Sequence, residues 1–338
     1  MNASQALPQP QAPLGRTRAA RRRRNLWIAL GFLLPNLLGF GIFTAGPLFF
    51  SLASSLTDWN LVSPPGTPVH WVFLRNFHDL LANDENFHLY LANTIYMMIG
   101  IPISIFGSLL VALMLNQKLK GIVVYRTLFY LPTFTSGVAL MILWKALLNP
   151  DFGPINAIIN GVLHFLHLPG AAPQWLQSTQ NLLGLSVDTV SLTASQFGLG
   201  ARDALIMMGI WTAVGGNNML LYLAALTSVP PDLYEAASLD GAGRWALFRH
   251  ITIPQLAPTT FFIVIMSLIG GFQAGFDQAQ VMTQGGPAGT TTTISYYIYD
   301  KAFQQFQMGY ASAVSWVLFL IVLVLTLVTY KYGNRAAE

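Results

Sequence analysis

The sequence of 338 residues contains no cysteine and very little charge. Without cysteine, the chain has no disulfide bond, thiolate metal site, cysteine nucleophile or lipoprotein anchor. Only 9% of its residues are Asp, Glu, Lys or Arg, against roughly 25% in an ordinary soluble domain. So few charges cannot cover a water-facing surface. The apolar content of 54% therefore predicts that hydrocarbon covers much of the chain.

Motifs for catalysis and for metal binding are also missing. No G-x-x-x-x-G-K-[ST] phosphate loop occurs, so the chain itself is not expected to hydrolyse ATP. Neither H-E-x-x-H nor G-x-S-x-G is present. His164 and His167 lie three residues apart, but further ligands for zinc are not close in the sequence. We therefore predict no enzyme activity, no metal site and no cofactor in this chain.

Long charge-free stretches predict an all-α integral membrane protein with about six transmembrane helices, because each span needs about 20 mostly apolar residues. The first apolar run is longer than that of a signal peptide, which predicts a retained anchor. The segment 155–168 is too short to span and is expected to form an amphipathic helix on the membrane surface or on the protein. The predicted spans lie near residues 27–52, 89–115, 127–148, 204–227, 258–280 and 311–331.

The distribution of Lys and Arg predicts the orientation of these spans. Basic residues accumulate on cytoplasmic loops. With the N-terminus inside, thirteen basic residues lie on the cytoplasmic side and four outside. The inner residues are Arg16, Arg18, Arg21, Arg22, Arg23, Arg24, Lys118, Lys120, Arg126, Arg244, Arg249, Lys331 and Arg335; the outer ones are Arg75, Lys145, Arg202 and Lys301. The basic arm runs directly into an apolar segment, which favours an orientation signal over nucleic-acid binding.

The loop 228–257 is thus predicted to be cytoplasmic, and its pattern indicates two short helices at an angle. Asp232 and Glu235 have the spacing of a helix N-cap and its capping-box partner. The run 240–243 contains two glycines, which suit a helix end. The second helix would carry Trp245, Phe248 and Ile251 on one stripe, before prolines mark re-entry into the membrane. The first of the two helices is narrow because it carries alanines on one face, and such a helix can lie in a groove on a partner protein.

The residues EAASLDGAGRWALFRHITIP in this loop resemble the cytoplasmic signature of permease subunits of binding-protein-dependent ABC importers. Ile253 stands where that signature usually has Leu. The segments beginning at Leu128 and Met282 are similar to those of sugar-type permeases, such as the maltose and glycerol-3-phosphate systems. The likeness runs from about Trp27 to Tyr330. The nine matching positions are Glu235, Ala236, Ala237, Asp240, Gly241, Ala242, Phe248, Ile251 and Pro254.

The resemblance implies a type I importer transmembrane domain over 26–338, preceded by a basic cytoplasmic arm over 1–25. Residues 176–202, rich in Ser, Thr, Gln and Gly, would be an extra outer insertion. The nine matching residues would couple the chain to an ATPase. The implied partners are a second homologous permease, cytoplasmic ATP-binding subunits that consume the ATP, and an extracytoplasmic sugar-binding protein. The implied location is the bacterial inner membrane, with several spans in the bilayer.

The polar residues of the spans predict the kind of cargo. An anionic substrate would need fixed positive charge or helix N-termini along its path, and the predicted spans hold almost no Lys or Arg. They do hold uncharged polar and aromatic groups, so we predict a neutral sugar. The candidate pore residues are Asn217, Asn218, Gln273 and Phe276.

Two other classes of function are alternatives to a sugar importer permease. A secondary, ion-coupled transporter of small polar solutes would need coupling-ion ligands, and a six-span membrane enzyme would need a catalytic constellation. The sequence provides neither.

Overall fold

The computed structural model describes residues 14–64, 66–117, 120–135, 137–184 and 198–337. These residues form helices and connecting loops, with an isolated antiparallel bridge between Thr57 and Trp71. The predicted all-α membrane fold is confirmed. Residues 185–197 of the predicted insertion 176–202 lie outside the described residues.

Residues Met1–Ser54 form one compact unit and Ser55–Glu338 a second. In the first unit, helix α1 (Leu14–Phe40) passes through a π-helical turn into α2 (Gly46–Ser55). The arginine-rich segment is therefore helical from Leu14 and continues into the first apolar stretch without a break. The part from Arg22 to Ser55 is long and apolar enough to cross a membrane.

The first half of the second unit contains one candidate span and one bent pair of helices. Helices α4 and α5 together make one candidate span, Glu85–Leu115. The next two helices meet at a bend of 96° and make a second span only if the bent pair is counted as one. The helices are α3 (Arg75–His78), α4 (Glu85–Met97), α5 (Gly100–Leu115), α6 (Ile122–Phe134), α7 (Gly137–Leu147) and α8 (Pro154–Phe165).

The second half contains three candidate spans, Ala201–Ser228, Arg244–Gln273 and Met308–Lys331. Within the described residues the chain thus has five spans, or six with the bent pair. The helices are α9 (Ala201–Val214), α10 (Asn217–Ser228), α11 (Pro231–Leu239), α12 (Arg244–Leu247), α13 (Ile253–Gln273), α14 (Phe276–Gln278), α15 (Ile294–Tyr299) and α16 (Met308–Ala337).

The structure corrects the end of the predicted fifth span, 258–280. Helix α13 stops at Gln273, because Gly275 adopts a left-handed backbone conformation with φ of 91°. A β-carbon at Gly275 would lie 2.4 Å from a methyl carbon of Thr293, so the close approach of these two segments also requires glycine. Phe276 and Asp277 therefore lie on α14, outside the long helix.

The predicted third span, 127–148, is also not one straight helix. It divides into α6 and α7 around Thr135, whose backbone is extended. In the fourth span the chain breaks at Gly215, where a β-carbon would lie 2.0 Å from the carbonyl oxygen of Phe129. This glycine allows the backbone of α6 to approach the junction of α9 and α10.

Helix α8 is close to the predicted amphipathic helix 155–168. Its inner face packs against the core through Leu163 and Asn156, and Asn156 accepts a hydrogen bond from Nε1 of the buried Trp175 at 2.6 Å. The outer face exposes Ile158 and Phe165. The helix therefore lies on the protein with a second apolar face free.

Candidate functional site

The first candidate site is the coupling segment, which we define as residues 231–254. Helix α11 ends in a Schellman motif: the Gly241 amide donates to the Ser238 carbonyl at 3.1 Å, and the Ala242 amide to the Ala237 carbonyl at 3.0 Å. Gly241 has φ of 82°, a conformation that glycine adopts at no steric cost. The prediction that glycine ends this helix is confirmed.

Helix α11 stands away from the rest of the protein. None of its nine residues, all of which the structure describes, is buried, and Leu239 is 90% exposed. Glu235, Ala236 and Asp240 are exposed, while Ala237 and Ala242 are half-buried. The hydroxyl groups of Tyr234 and the buried Thr252 lie 3.0 Å apart and connect the helix to the segment after it. The signature residues thus present an open face.

The second part of the coupling segment is continuous with a span. Helix α12 passes through the π-helical turn Phe248–Thr252 directly into α13. Phe248 and Ile251 are half-buried and Pro254 is exposed in the first turn of α13. The ring of Phe248 lies 5.5 Å from that of Trp245, which is 70% exposed. A displacement of this segment would therefore move α13 with it.

One detail of the predicted loop is wrong. Helix α11 begins at Pro231 with Pro230 as N-cap, so Asp232 lies inside the first turn and does not cap the helix with Glu235. The negative charge of Asp232 in the first turn is still favourable, because it lies at the positive end of the helix dipole. Pro254 and Pro258 both lie in α13, which belongs to the candidate span Arg244–Gln273.

The second candidate site is a cleft of about 290 Å³ between α4–α5, α9–α10 and α13. Most of its lining is apolar or glycine, and it is called the polar cleft here after its six polar residues. Its size suits a small ligand. Glycines line one side: a β-carbon at Gly271 would lie 2.8 Å from Ile101 Cδ1, so the small residue allows the two helices to approach. None of the described lining residues is charged. The polar ones are Thr94, Ser104, Asn218, Ser267, Gln278 and Thr293.

The four predicted pore residues lie in different surroundings. Asn218 lines the cleft. Asn217 is exposed and accepts a hydrogen bond from the Tyr130 hydroxyl at 3.2 Å, beside α6. Gln273 is the exposed last residue of α13, and its carbonyl accepts a bond from Ser295. Phe276 lies in a cluster of aromatic rings, 5.0 Å from Tyr299. The structure brings Asn218 to the cleft and does not bring the other three there.

The end of the bundle where α4, α9 and α16 begin, here called the polar end, holds a buried network that the sequence did not predict. Arg202 is only 2% exposed and donates to the Asn93 side chain at 3.1 Å. Asn93 in turn donates to the carbonyls of Gly289 and Thr292 at 2.9 and 3.2 Å. Two spans and the loop 284–293 are thus joined. The sequence feature that could have indicated this network is Arg202, a basic residue at the start of an apolar stretch.

Asp203, the residue after Arg202, forms further hydrogen bonds at the polar end. Asp203 accepts the Tyr96 hydroxyl at 2.6 Å and the amides of Leu182 and Gly200 at 3.1 Å each. The guanidinium of Arg202 lies 5.1 Å from the centre of the Tyr96 ring. A buried charge is tolerated only when it is paired or hydrogen-bonded, and hydrogen bonds hold both of these side chains.

Asp84 forms a second polar cluster at this end. As the N-cap of α4 it accepts the Phe87 amide at 3.2 Å, and it also accepts the hydroxyls of Tyr297 and, at 2.5 Å, Tyr310. Burial raises the pKa of Asp84, but the two hydroxyls, the amide and nearby Lys301 outweigh it, so the net pKa is lowered. Burial and the Asp84 carboxylate raise the pKa of Tyr297. The carboxylate thus ties α4 to α15 and α16.

A family model described as the binding-protein-dependent transport system inner membrane component matches residues 87–332. The chain belongs to this family. It is therefore a membrane component of a transport system and not an enzyme. The match covers the coupling segment, the polar cleft and the network of Arg202 and Asn93.

Individual relatives agree with this assignment. The chain is 35% identical to the probable ABC transporter permease protein YesP of Bacillus subtilis, over 93% of this chain and 92% of the relative. It is 31% identical to the lactose transport system permease protein LacF of Rhizobium radiobacter, over 92% and 94%. A solved bacterial ABC transporter involved in import of the acidic polysaccharide alginate matches with a TM-score of 0.74 and 25% identity, over 95% of this chain and 100% of that one.

Proposed function

We propose that this permease forms half of the translocation pathway of an ATP-driven sugar importer and receives the ATPase motion through the coupling segment. The observation that carries the proposal is the geometry of 231–254: an exposed helix with a fixed Schellman end, continuous through α12 with α13. ATP is consumed in a partner subunit. A second permease would supply the other half of the path, and a binding protein would deliver the sugar outside.

The polar cleft is the best candidate for the sugar's path in this chain. Sugar hydroxyls need hydrogen-bonding partners, which the cleft offers from three spans without a fixed charge. Charge would be expected where an anionic substrate pauses. Lactose, in the name of one relative, is such a neutral sugar, whereas alginate is acidic. The uncharged lining favours a neutral mono- or oligosaccharide for this protein.

The test is ATP-dependent uptake by the complete importer in vesicles, with a panel of labelled neutral and anionic sugars. We expect a neutral sugar to be taken up and other neutral sugars to compete for it. Preferential uptake of an anionic sugar, without competition by neutral ones, would overturn the substrate class. Uptake driven by an ion gradient without ATP would instead indicate a secondary transporter.

We also propose that the coupling segment and the N-terminus are cytoplasmic and the polar end is outside, from the excess of Lys and Arg on one side. The chain has no native cysteine, so single cysteines can be labelled cleanly. Asp151 and Leu239 are both exposed, and they lie in the segments proposed to be outside and cytoplasmic, respectively. In intact cells an impermeant maleimide should label Asp151→Cys and not Leu239→Cys. The reverse pattern would refute this orientation. Ser178 is unsuitable for labelling because it is buried.

A further inference from the structure

We propose that this chain binds an anionic phospholipid in a cleft between α5 and α6, at the end of the bundle opposite the polar end. The proposal rests on the orientation proposed above, which places this cleft in the cytoplasmic leaflet. The cleft has a volume of about 210 Å³. Its lining residues are Val111, Met114, Leu115, Lys120, Tyr125 and Phe129.

The interior of this cleft is suited to an acyl chain. Three of its residues come from the last turns of α5, and Tyr125 and Phe129 lie four residues apart on one face of α6. Phe129 is about 10 Å along α6 from its start, at 1.5 Å per residue. One leaflet of the hydrocarbon core is about 15 Å thick. The cleft therefore reaches through much of the inner leaflet.

A second space borders this cleft at Tyr125 and Phe129. Tyr125 and Phe129 also line a larger, almost wholly apolar cavity of about 980 Å³ among α5, α6 and α9. Helix α6 itself is loosely covered: none of its thirteen residues, all described by the structure, is buried. An acyl chain that enters at Lys120 can continue along α6 and cover apolar surface that this chain leaves open.

The mouth of the cleft carries positive charge. Lys120 lines the cleft, and the Nη2 atom of Arg126 donates to the carbonyl of the lining residue Leu115 at 3.1 Å. This bond places the guanidinium next to the cleft. The other guanidinium N–H groups remain to be shared with a phosphate. The sequence has no Asp or Glu between Glu85 and Asp151, so no acid in this stretch offsets these cations.

Charge decides which lipid this mouth prefers. Basic pockets between transmembrane helices on the cytoplasmic side bind anionic head groups, and each Lys or Arg near the surface contributes about 1 kcal/mol. A zwitterionic phosphatidylcholine has the same acyl chains but no net charge to match Lys120 and Arg126. A segment of the partner permease is the competing occupant, and it would have to bring its own acidic groups to this site.

The experiment uses the complete importer in bilayers that contain trace photoactivatable phosphatidylglycerol or phosphatidylcholine, with the diazirine on the acyl chain. After irradiation, the lipid adducts are located by mass spectrometry of peptides. We expect adducts between Tyr125 and Phe129, formed more with phosphatidylglycerol. Lys120→Gln should lower that adduct about five-fold, as expected for one charge. The matched control is Lys145→Gln, which removes an exposed lysine at the other end of the bent pair and should leave the adduct unchanged.

Three results would overturn the proposal. They are equal labelling by the two lipids, labelling that Lys120→Gln leaves unchanged, and an absence of lipid adducts at this site with cross-links to the partner permease in their place. Lys120 is exposed, so its substitution does not threaten folding. The measurement does not use sugar uptake. A failure here is therefore distinct from failure of the sugar or ATPase proposals, and the orientation is tested separately by cysteine labelling.

Discussion

The coupling segment and the polar end of this permease are built in opposite ways. Helix α11 presents exposed side chains and is held by a Schellman motif and a contact between Tyr234 and Thr252. The polar end buries Arg202 and Asn93 and joins two spans to the loop 284–293. Helix α11 leaves its side chains open to solvent, whereas the polar end holds buried polar side chains in hydrogen bonds that join helices and a loop. Substitutions at the two ends should therefore differ in whether they affect coupling or stability.

The largest loss of stability is expected from Arg202→Met. The change leaves the buried Asn93 oxygen without its charged donor and removes the contact with the Tyr96 ring, a cost of about 2–3 kcal/mol. We expect the thermal unfolding midpoint of the purified importer to fall. The matched control is Arg75→Met, which removes an exposed arginine whose nearest acid, Asp79, is 3.6 Å away. That variant should lose at most about 1 kcal/mol. Equal midpoints for the two variants would contradict the assigned network.

The largest loss of coupling is expected from Gly241→Val. A β-branched residue with φ of 82° is strained by about 1–3 kcal/mol, and the Schellman end should be distorted. A β-carbon there has no atom within 4 Å, so the strain comes from the backbone alone. We expect uptake and stimulated ATPase activity to fall several-fold while the subunit remains folded and in the membrane.

Gly243→Val is the control for this experiment. Gly243 is two residues away and its position is equally open, but its φ of −73° suits any residue. Gly241→Asn should retain part of the activity because asparagine tolerates the left-handed conformation. Wild-type uptake in Gly241→Val, or equal losses at the two glycines, would show that the helix end does not matter for coupling.

A smaller loss of stability is expected from Asp84→Asn. The amide still accepts hydrogen bonds but loses the charge that strengthens those from Tyr297 and Tyr310, a cost of about 1–2 kcal/mol. The lowered pKa of Asp84 gives this contribution a pH dependence. It should be fully present above the ordinary Asp pKa of about 3.9 and be lost as the pH falls through the lower pKa of the folded state.

Thermal unfolding of wild type and Asp84→Asn from pH 7 to pH 3 tests this directly. The two curves should run parallel down to about pH 4 and converge below it. A gap that closes near neutral pH would mean that Asp84 is not the group responsible.

The smallest effect is expected from Glu235→Ala. Because Glu235 is exposed and does not take part in a capping box, its loss should leave folding unchanged. We expect only the partner contact to weaken, by about 1 kcal/mol or less, seen as a modest rise in the ATPase concentration needed for assembly. Glu235→Gln should lie between wild type and Glu235→Ala. A fall in the unfolding midpoint would show instead that Glu235 stabilises α11.

The sequence predicted the positions of the long membrane-spanning helices better than it predicted the breaks within them. Apolar runs located the spans, because a helix in lipid must satisfy every backbone group within itself. The end of α13 at Gln273 was missed because it depends on the contact between Gly275 and Thr293, which are distant in the sequence. The bend between α6 and α7 was missed because Pro132 is compatible with an unbroken membrane helix.

Composition and periodicity alone determined that this is an all-α membrane protein, because hydrophobicity adds up along a segment. The signature residues of 235–254 and the segments from Leu128 and Met282 carried the resemblance to the family, and the conformational freedom of Gly241 determined the end of one helix. Only the tertiary structure decided which polar residues meet. Arg202 pairs with Asn93, and Asn218 but not Gln273 reaches the cleft. These outcomes depend on how helices far apart in the chain pack, since packing sets which face of each helix is buried.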